Sequence, residues 1–319
     1  MVIRLRAGFL KSLGSVLAGA LMAWAVLLHG AHPPATAPSV AAVQPAAAAD
    51  DAQCGKPGAP DARLYGRVSA DQLPWAASPP PRLQELLAET HSDRLVSAFR
   101  TTLPNPLFNE EYNIGLAADL LAGHVVQPGQ VFSVLHAIGP FTADRGYRDG
   151  PTYIGGRIVP TIAGGVCKIS STMYNAVVFA DLQVVERHPH GMPVPYVPPG
   201  RDATIVWGAL DFKFRNNRDK PVVIWSDTKD NTLYIALYGS YDPPVVTWHH
   251  EELGRVKAPT IRRPNPALPH GEERVLGEGL DGVTVRTWVT IERPGQPPET
   301  KMMGVDSYRP LPRIVEYGP

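Results

Sequence analysis

Proline placement constrains this chain more than any other feature of its sequence. Thirty-four of the 319 residues are proline. Each fixes φ and removes a backbone donor, so the segments that hold them cannot be helix interior or central strand. Those segments read as linkers and turns. Residues 31–80 form a Pro- and Ala-rich linker, and between 32 and 61 there is almost no large apolar side chain to bury. A second stretch of exposed-chain composition, 243–270, separates a core domain at 95–240 from a small unit at 271–319.

The first 30 residues have the organisation of an export segment. Basic Arg4, Arg6 and Lys11 precede an apolar run, 13–28, broken only by Ser15. The run is long for a secretory signal and short of the roughly 20 residues a spanning helix needs, so residues 1–30 read either as a signal peptide or as an N-terminal membrane anchor. Both readings place the rest of the chain outside the cytoplasmic membrane, secreted or anchored in the cell envelope. The formal charge is zero, but without those three basic residues the 30 falls to 27 against 30 acidic residues, about −3. That balance argues against a nucleic-acid partner. Cys54 and Cys167 could pair in an oxidising compartment, although Cys54 lies in a Pro- and Gly-rich stretch with little to hold it near Cys167.

Local patterns give the core an α+β reading, a helix packed on an antiparallel sheet. A short helix is expected at 83–88 and a strand at 95–99. A better-marked helix spans 109–122, with Asn109 as its cap, Glu110 and Glu111 at its positive end, Gly123 as its stop and Ile114, Ala117, Ala118 and Leu121 as its buried stripe. A short strand follows at 131–134. Residues 139–165 are glycine-rich and loop-like, the kind of long irregular stretch that lines a site. A second helix is expected from 168 to 181, apolar on the face of Ile169, Met173, Ala176, Val177 and Ala180. Short β-type segments at 182–186, 203–207, 212–215, 222–225 and 233–238 suggest a meander. Residues 282–291 alternate strictly, which gives a small all-β C-terminal module.

The chemistry concentrates around Cys167. It stands at a predicted helix start, where unpaired N–H groups and the helix dipole favour thiolate. Gly164 and Gly165 before it would let another chain approach the sulfur. His188 or His190 can serve as base; two residues apart in an extended segment, they project to one side and spacing does not rank them. Asp202 can fix the imidazole tautomer. The order Cys, helix, His-strand, Asp-strand is similar to that of transglutaminase-like cysteine hydrolases. Lys168, Ser170, Ser171, Tyr174, Arg187 and Arg201 are candidate substrate contacts, the arginines as two-pronged carboxylate donors. No cofactor is implied. A rival is zinc held by Cys167, His188 and His190, and a blander alternative is a binding or scaffold module in which Gly164 to Cys167 is only a tight turn.

An ordered set of motifs also carries a family resemblance. It includes Ser97-Ala98-Phe99-Arg100-Thr101, Gly123-His124-Val125-Val126-Gln127-Pro128-Gly129, Gly164-Gly165-Val166-Cys167, Ser170-Ser171-Thr172-Met173-Tyr174-Asn175-Ala176, Glu186-Arg187-His188-Pro189-His190 and Gly200-Arg201-Asp202-Ala203-Thr204. Over about 140 residues the chain resembles the VanW family. Ala163, Lys168 and Gly191 stand where that family commonly has Gly, Gln and Ser. The resemblance implies an envelope protein of a family first noted beside vancomycin-resistance genes, with peptidoglycan or a wall peptide as partner; it does not name a reaction. The tail, through Gly282, Val283, Val285, Tyr308, Pro310, Pro312 and Val315-Glu316-Tyr317-Gly318, resembles a G-five-like wall-associated module.

Overall fold

The computed structural model describes residues 61–154 and 157–319. The export segment, Cys54 and most of the expected linker lie outside those residues. Among the described residues no helix is long and apolar enough to cross a membrane.

The first half of the core runs β1 (Tyr65–Arg67), α1 (Pro81–Thr90), β2 (Arg94–Thr102), α2 (Glu110–Leu121), β3 (Val125–Val126), β4 (Val131–Ser133) and α3 (Val134–Ile138). It continues with β5 (Asp149–Ile154), β6 (Arg157–Ile162), α4 (Cys167–Phe179), β7 (Gln183–Glu186), β8 (Lys213–Arg215), β9 (Val222–Lys229) and β10 (Thr232–Gly239). The C-terminal part adds β11 (Val245–Val256), β12 (Thr260–Pro264), β13 (Glu273–Gly277), β14 (Gly282–Glu292), β15 (Glu299–Tyr308) and β16 (Arg313–Tyr317).

The central element is a five-stranded antiparallel sheet in the order β1-β2-β10-β9-β3. Alternation along its strands feeds two apolar layers. Leu233, Ile235 and Leu237 of β10 join the main core beneath α2 and α4, whereas Ala236 and Tyr238 meet Val68, Leu73, Trp75, Leu83 and Leu86 on the opposite face. The Trp75 indole donates to the Tyr238 hydroxyl across that layer at 2.8 Å. The expected linker therefore gives way to ordered chain by residue 61, because Tyr65, Val68, Leu73 and Trp75 cover sheet surface.

Helix α4 is the hub. Every residue from 168 to 179 is buried, so the helix is enclosed on all sides rather than on one apolar face. Its polar side chains are paired, as burial demands. Thr172 Oγ1 bonds Thr101 Oγ1 at 2.8 Å, and Asn175 Nδ2 donates to the carbonyls of Ser171 and Arg201 at 2.8 and 2.7 Å.

Four other expectations are corrected. Residues 139–165 contain the hairpin β5–β6, in which Pro151 faces Pro160; among the described residues the ribbon pairs only with itself, so each proline can sit where no donor is needed. Asn109 does not cap α2 but adopts φ 55° and donates from Nδ2 to the Asp149 carbonyl at 2.9 Å. Residues 203–207 form no strand, because the Ala203 main chain is taken up by serines of α4. Finally, the expected 243–270 linker is largely strand: β11 pairs along its length with β14, and its exposed polar half around His249 to Glu252 hides the pattern. The meander is only partial, since β7 and β8 join β4 in a separate three-stranded sheet. The C-terminal part is all-β, with sheets β11-β14-β15 and β12-β16-β13, and the whole is α+β.

Candidate functional site

The start of α4 is set by a close approach of two backbones. A Cβ on Gly164 would lie 2.2 Å from the Gly150 carbonyl carbon, and one on Gly165, at φ 100°, would lie 2.7 Å from Glu110 Cγ. These glycines seat the hairpin and α2 against the helix start; the space that sequence alone offered to a ligand is filled by the protein. Asn113 ties the junction with bonds from Nδ2 to the carbonyls of Arg148 and Gly164, at 2.9 and 3.0 Å.

Cys167, a half-buried free thiol, lies against Thr204 Oγ1 at 3.4 Å and the Ile205 carbonyl at 3.5 Å. The His190 ring faces the thiol closely enough to act on its charge. On its other side, His190 Nδ1 donates to Asp202 Oδ2 at 2.6 Å, and the His190 main-chain N–H donates to the same oxygen at 2.7 Å. A carboxylate only accepts, so the proton sits on Nδ1 and Nε2 is the nitrogen left for sulfur. Neither His190 nor Asp202 lies on a strand; both occupy irregular segments after β7.

The electrostatics follow from this chain of contacts. Burial pushes the Cys167 thiol up, but the hydrogen bond and charge of His190 take it below its ordinary value. Burial pushes His190 down, yet its bonds to Asp202 and Cys167 raise it to about 10. Burial would raise Asp202; His190, Arg187 and Tyr308 together hold it below the usual carboxylate range. Each shift favours the charged form of its group: thiolate at Cys167, imidazolium at His190 and carboxylate at Asp202.

The remaining predicted residues take other places. His188 turns away, with Nε2 against Glu186 Oε1 at 3.0 Å, and the 187–190 segment lies beyond the end of β7 rather than within a strand. The three-ligand zinc set therefore does not converge, and among the described residues no group of three or more His, Cys, Asp or Glu is placed to hold a metal ion. Lys168 is 1% exposed and reaches Glu111 Oε1 and the Asn231 carbonyl, both at 3.0 Å, rather than a ligand. Ser170 and Ser171 donate to the Ala203 carbonyl at 2.7 and 3.0 Å. Tyr174 is buried against Phe212 and Trp248. Arg201 bonds Asn175 Oδ1 at 2.8 Å among the rings of Tyr65, Phe99, Phe179 and Trp248. Arg187 binds Asp202 through Nη2 at 3.0 Å. All six side chains are engaged inside the protein. Residues that sequence reasoning did not assign to the site are Thr204, whose place directly after Asp202-Ala203 was a usable signal, and Asp306 and Tyr308, for which no local signal exists.

A cleft of about 340 Å³ has Glu186, Lys213, His136, Leu210 and Trp207 in its wall. Glu186 is the partner of His188, and Trp207 lies two residues beyond Ile205.

Residues 109–238 match the family model described as VanW like protein. The chain is 38% identical over 180 residues to "Uncharacterized protein YoaR" of Bacillus subtilis (strain 168), covering 56% of this chain and 59% of that one. It is 29% identical over 177 residues to "Vancomycin B-type resistance protein VanW" of Enterococcus faecalis (strain ATCC 700802 / V583), covering 51% and 64%. It thus spans about 59 to 64% of the length of these relatives. A quarter of the chain is similar to two solved G5 structures. HP0197-G5 is 19% identical, with 24% of this chain and 100% of that one covered and a TM-score of 0.15. The IgA1 protease G5 domain is 26% identical, with 25% and 98% covered and a TM-score of 0.16.

Proposed function

We propose that this VanW-like chain works in the cell envelope as a thiol amidase or acyltransferase on peptidoglycan peptides, with Cys167 as nucleophile, His190 as the partner that holds it as thiolate and acts as general acid and then base, and Asp202 as the group that orients the imidazole. The observation that carries the reading is the placement of the His190 ring between Asp202 and Cys167, which favours thiolate. The envelope setting rests on the export-type segment at 1–30, carried as secretion signal or membrane anchor, and on the VanW relative.

In the first step the Cys167 thiolate attacks the amide carbon, forming an S–C bond and placing negative charge on the carbonyl oxygen. The His190 imidazolium gives its proton to the amide nitrogen, the C–N bond breaks, and an acyl-thioester remains on Cys167. Water, or an amine in the transferase case, then attacks the thioester while His190 takes its proton, and the thiolate leaves. The Lys168 N–H is spent on the Gly165 carbonyl at 3.1 Å, so the oxyanion falls to the Cys167 N–H with the Thr204 hydroxyl beside it. The cleft bearing Trp207, Glu186 and Lys213 offers an apolar ring between charged groups, which suits a peptide with both characters. The order Cys, helix, His, Asp along the chain is similar to that of transglutaminase-like hydrolases, with the two partners here on irregular segments.

The test is the pH dependence of Cys167 alkylation in wild type, His190→Ala and Asp202→Ala. A midpoint well below the free-cysteine value of about 8.5 that rises in both variants is expected; an ordinary midpoint in wild type refutes the enzyme. A second reading is a noncatalytic wall-binding module, favoured by the burial of every predicted substrate contact on α4. It expects Cys167→Ser to leave binding to isolated peptidoglycan, and the phenotype, unchanged.

A further inference from the structure

The far side of the Asp202 carboxylate is built by strand β15, more than 100 residues away in sequence. His190 fills Asp202 Oδ2 through its ring and its main-chain N–H. Oδ1 takes Arg187 Nη2 at 3.0 Å and the Tyr308 hydroxyl. That hydroxyl in turn accepts the Gly200 N–H at 2.7 Å. Asp306, two residues earlier and hence on the same strand face, accepts Arg187 Nη1 at 2.5 Å. Arg187 Nε donates to the Asp202 carbonyl at 2.7 Å. The contact continues on both sides: Arg309 N–H donates to the Gly191 carbonyl at 2.9 Å, next to His190, and a Cβ on Gly200 would lie 2.3 Å from Thr287 Cγ2 of β14. Tyr308 and Asp306 are 4% and 7% exposed.

We infer that Tyr308 and Asp306 are positioning residues of the Cys167 site, so that the C-terminal β module completes that site by fixing Asp202 and, through it, the His190 ring. This inference rests on the thiol-enzyme reading above. An Asp χ2 torsion is soft and has two broad wells, so a carboxylate held by His190 alone could turn. Tyr308 and Arg187 close the remaining oxygen and stop that rotation. Asp306 balances the Arg187 charge; without it an uncompensated guanidinium would stand beside the carboxylate that supports the imidazolium. Cys167, Tyr174, Arg187, Tyr196 and Arg201 face the same cluster, and the variants below leave all five in place.

The experiment measures iodoacetamide alkylation of the Cys167 peptide by mass spectrometry, as a function of pH, on the full chain. Wild type is compared with Tyr308→Phe, Asp306→Asn and Ser307→Ala, the last on the exposed face of the same strand. The alkylation midpoint is expected to rise by about half to one pH unit in Tyr308→Phe and Asp306→Asn, which slows alkylation roughly three- to tenfold at pH values well below the wild-type midpoint, and to stay put in Ser307→Ala. A merely structural contact would lower the melting temperature without moving this midpoint. If Tyr308→Phe does not fold, the isosteric Asp306→Asn decides. Folded variants with the wild-type midpoint overturn the inference and leave the thiol reading standing. A wild-type midpoint at the free-cysteine value overturns the thiol reading, and this inference with it.

Discussion

Replacing Arg187 by Met removes the guanidinium that bridges two buried carboxylates and lies over the Tyr174 ring, and leaves His190 as the charged partner of Asp202. The Arg187, Asp202 and Asp306 side chains are only 9%, 1% and 9% exposed. Taking one partner from a buried ion pair costs about 3–5 kcal/mol, because a buried charge is left uncompensated; here Asp306 loses the guanidinium that pairs it, while Asp202 keeps His190. For a folded unit of this size that lowers the melting temperature by roughly 10 °C. The pH dependence has a definite sign. In wild type, Asp202 is held below its ordinary value, so its stabilising contribution is present above pH ~3.9 and is lost as pH falls through the folded value. Without Arg187 the folded value rises, so acidification costs the variant less than wild type. Urea unfolding followed by tryptophan fluorescence should therefore show the full penalty at pH 7 and a smaller one near pH 4. A loss below about 1 kcal/mol at pH 7, or a gap that widens on acidification, would refute the argument.

Two further substitutions separate architecture from chemistry. Gly164→Ala places a Cβ 2.2 Å from the Gly150 carbonyl carbon, where only backbone can yield, and should cost at least about 1–3 kcal/mol in urea unfolding. Lys168→Gln should leave the Cys167 alkylation profile unchanged, since Lys168 Nζ is committed to Glu111 and Asn231; a raised midpoint would mean that the lysine charge acts on the sulfur.

What the sequence made legible was what local spacing encodes. The stripe of Ile114, Ala117, Ala118 and Leu121 in α2, and the alternation of β14, each follow from a repeat within one element, and both are buried as read. The cysteine at the start of α4 belongs to the same class, since a helix boundary is a local event. The polar residues of α4 were misleading for a related reason. Ser170, Ser171 and Asn175 look like an exposed or ligand-facing side until the irregular chain at 201–203 is laid over them, and only then do their donors find the carbonyls of Ala203 and Arg201. Burial of polar side chains is a property of the partner segment as much as of the helix.

The choice between His188 and His190 shows where local reading stops. In an extended segment the two would share a face, yet Asp202 captures both the main-chain N–H and the ring of His190 and turns His188 toward Glu186. The second oxygen of Asp202 is held in turn by Arg187 and by a tyrosine 106 residues further on. Nothing in the neighbourhood of Tyr308 marks it for this, since a buried tyrosine in an alternating strand is ordinary core. What selects it is register. In β15 Tyr308 pairs with Val283 and Asp306 with Val285, so a slip by one residue would send both side chains to solvent and leave Arg187 and Asp202 without them. On the inference drawn above, the support for His190 over His188 runs through a strand register set far away.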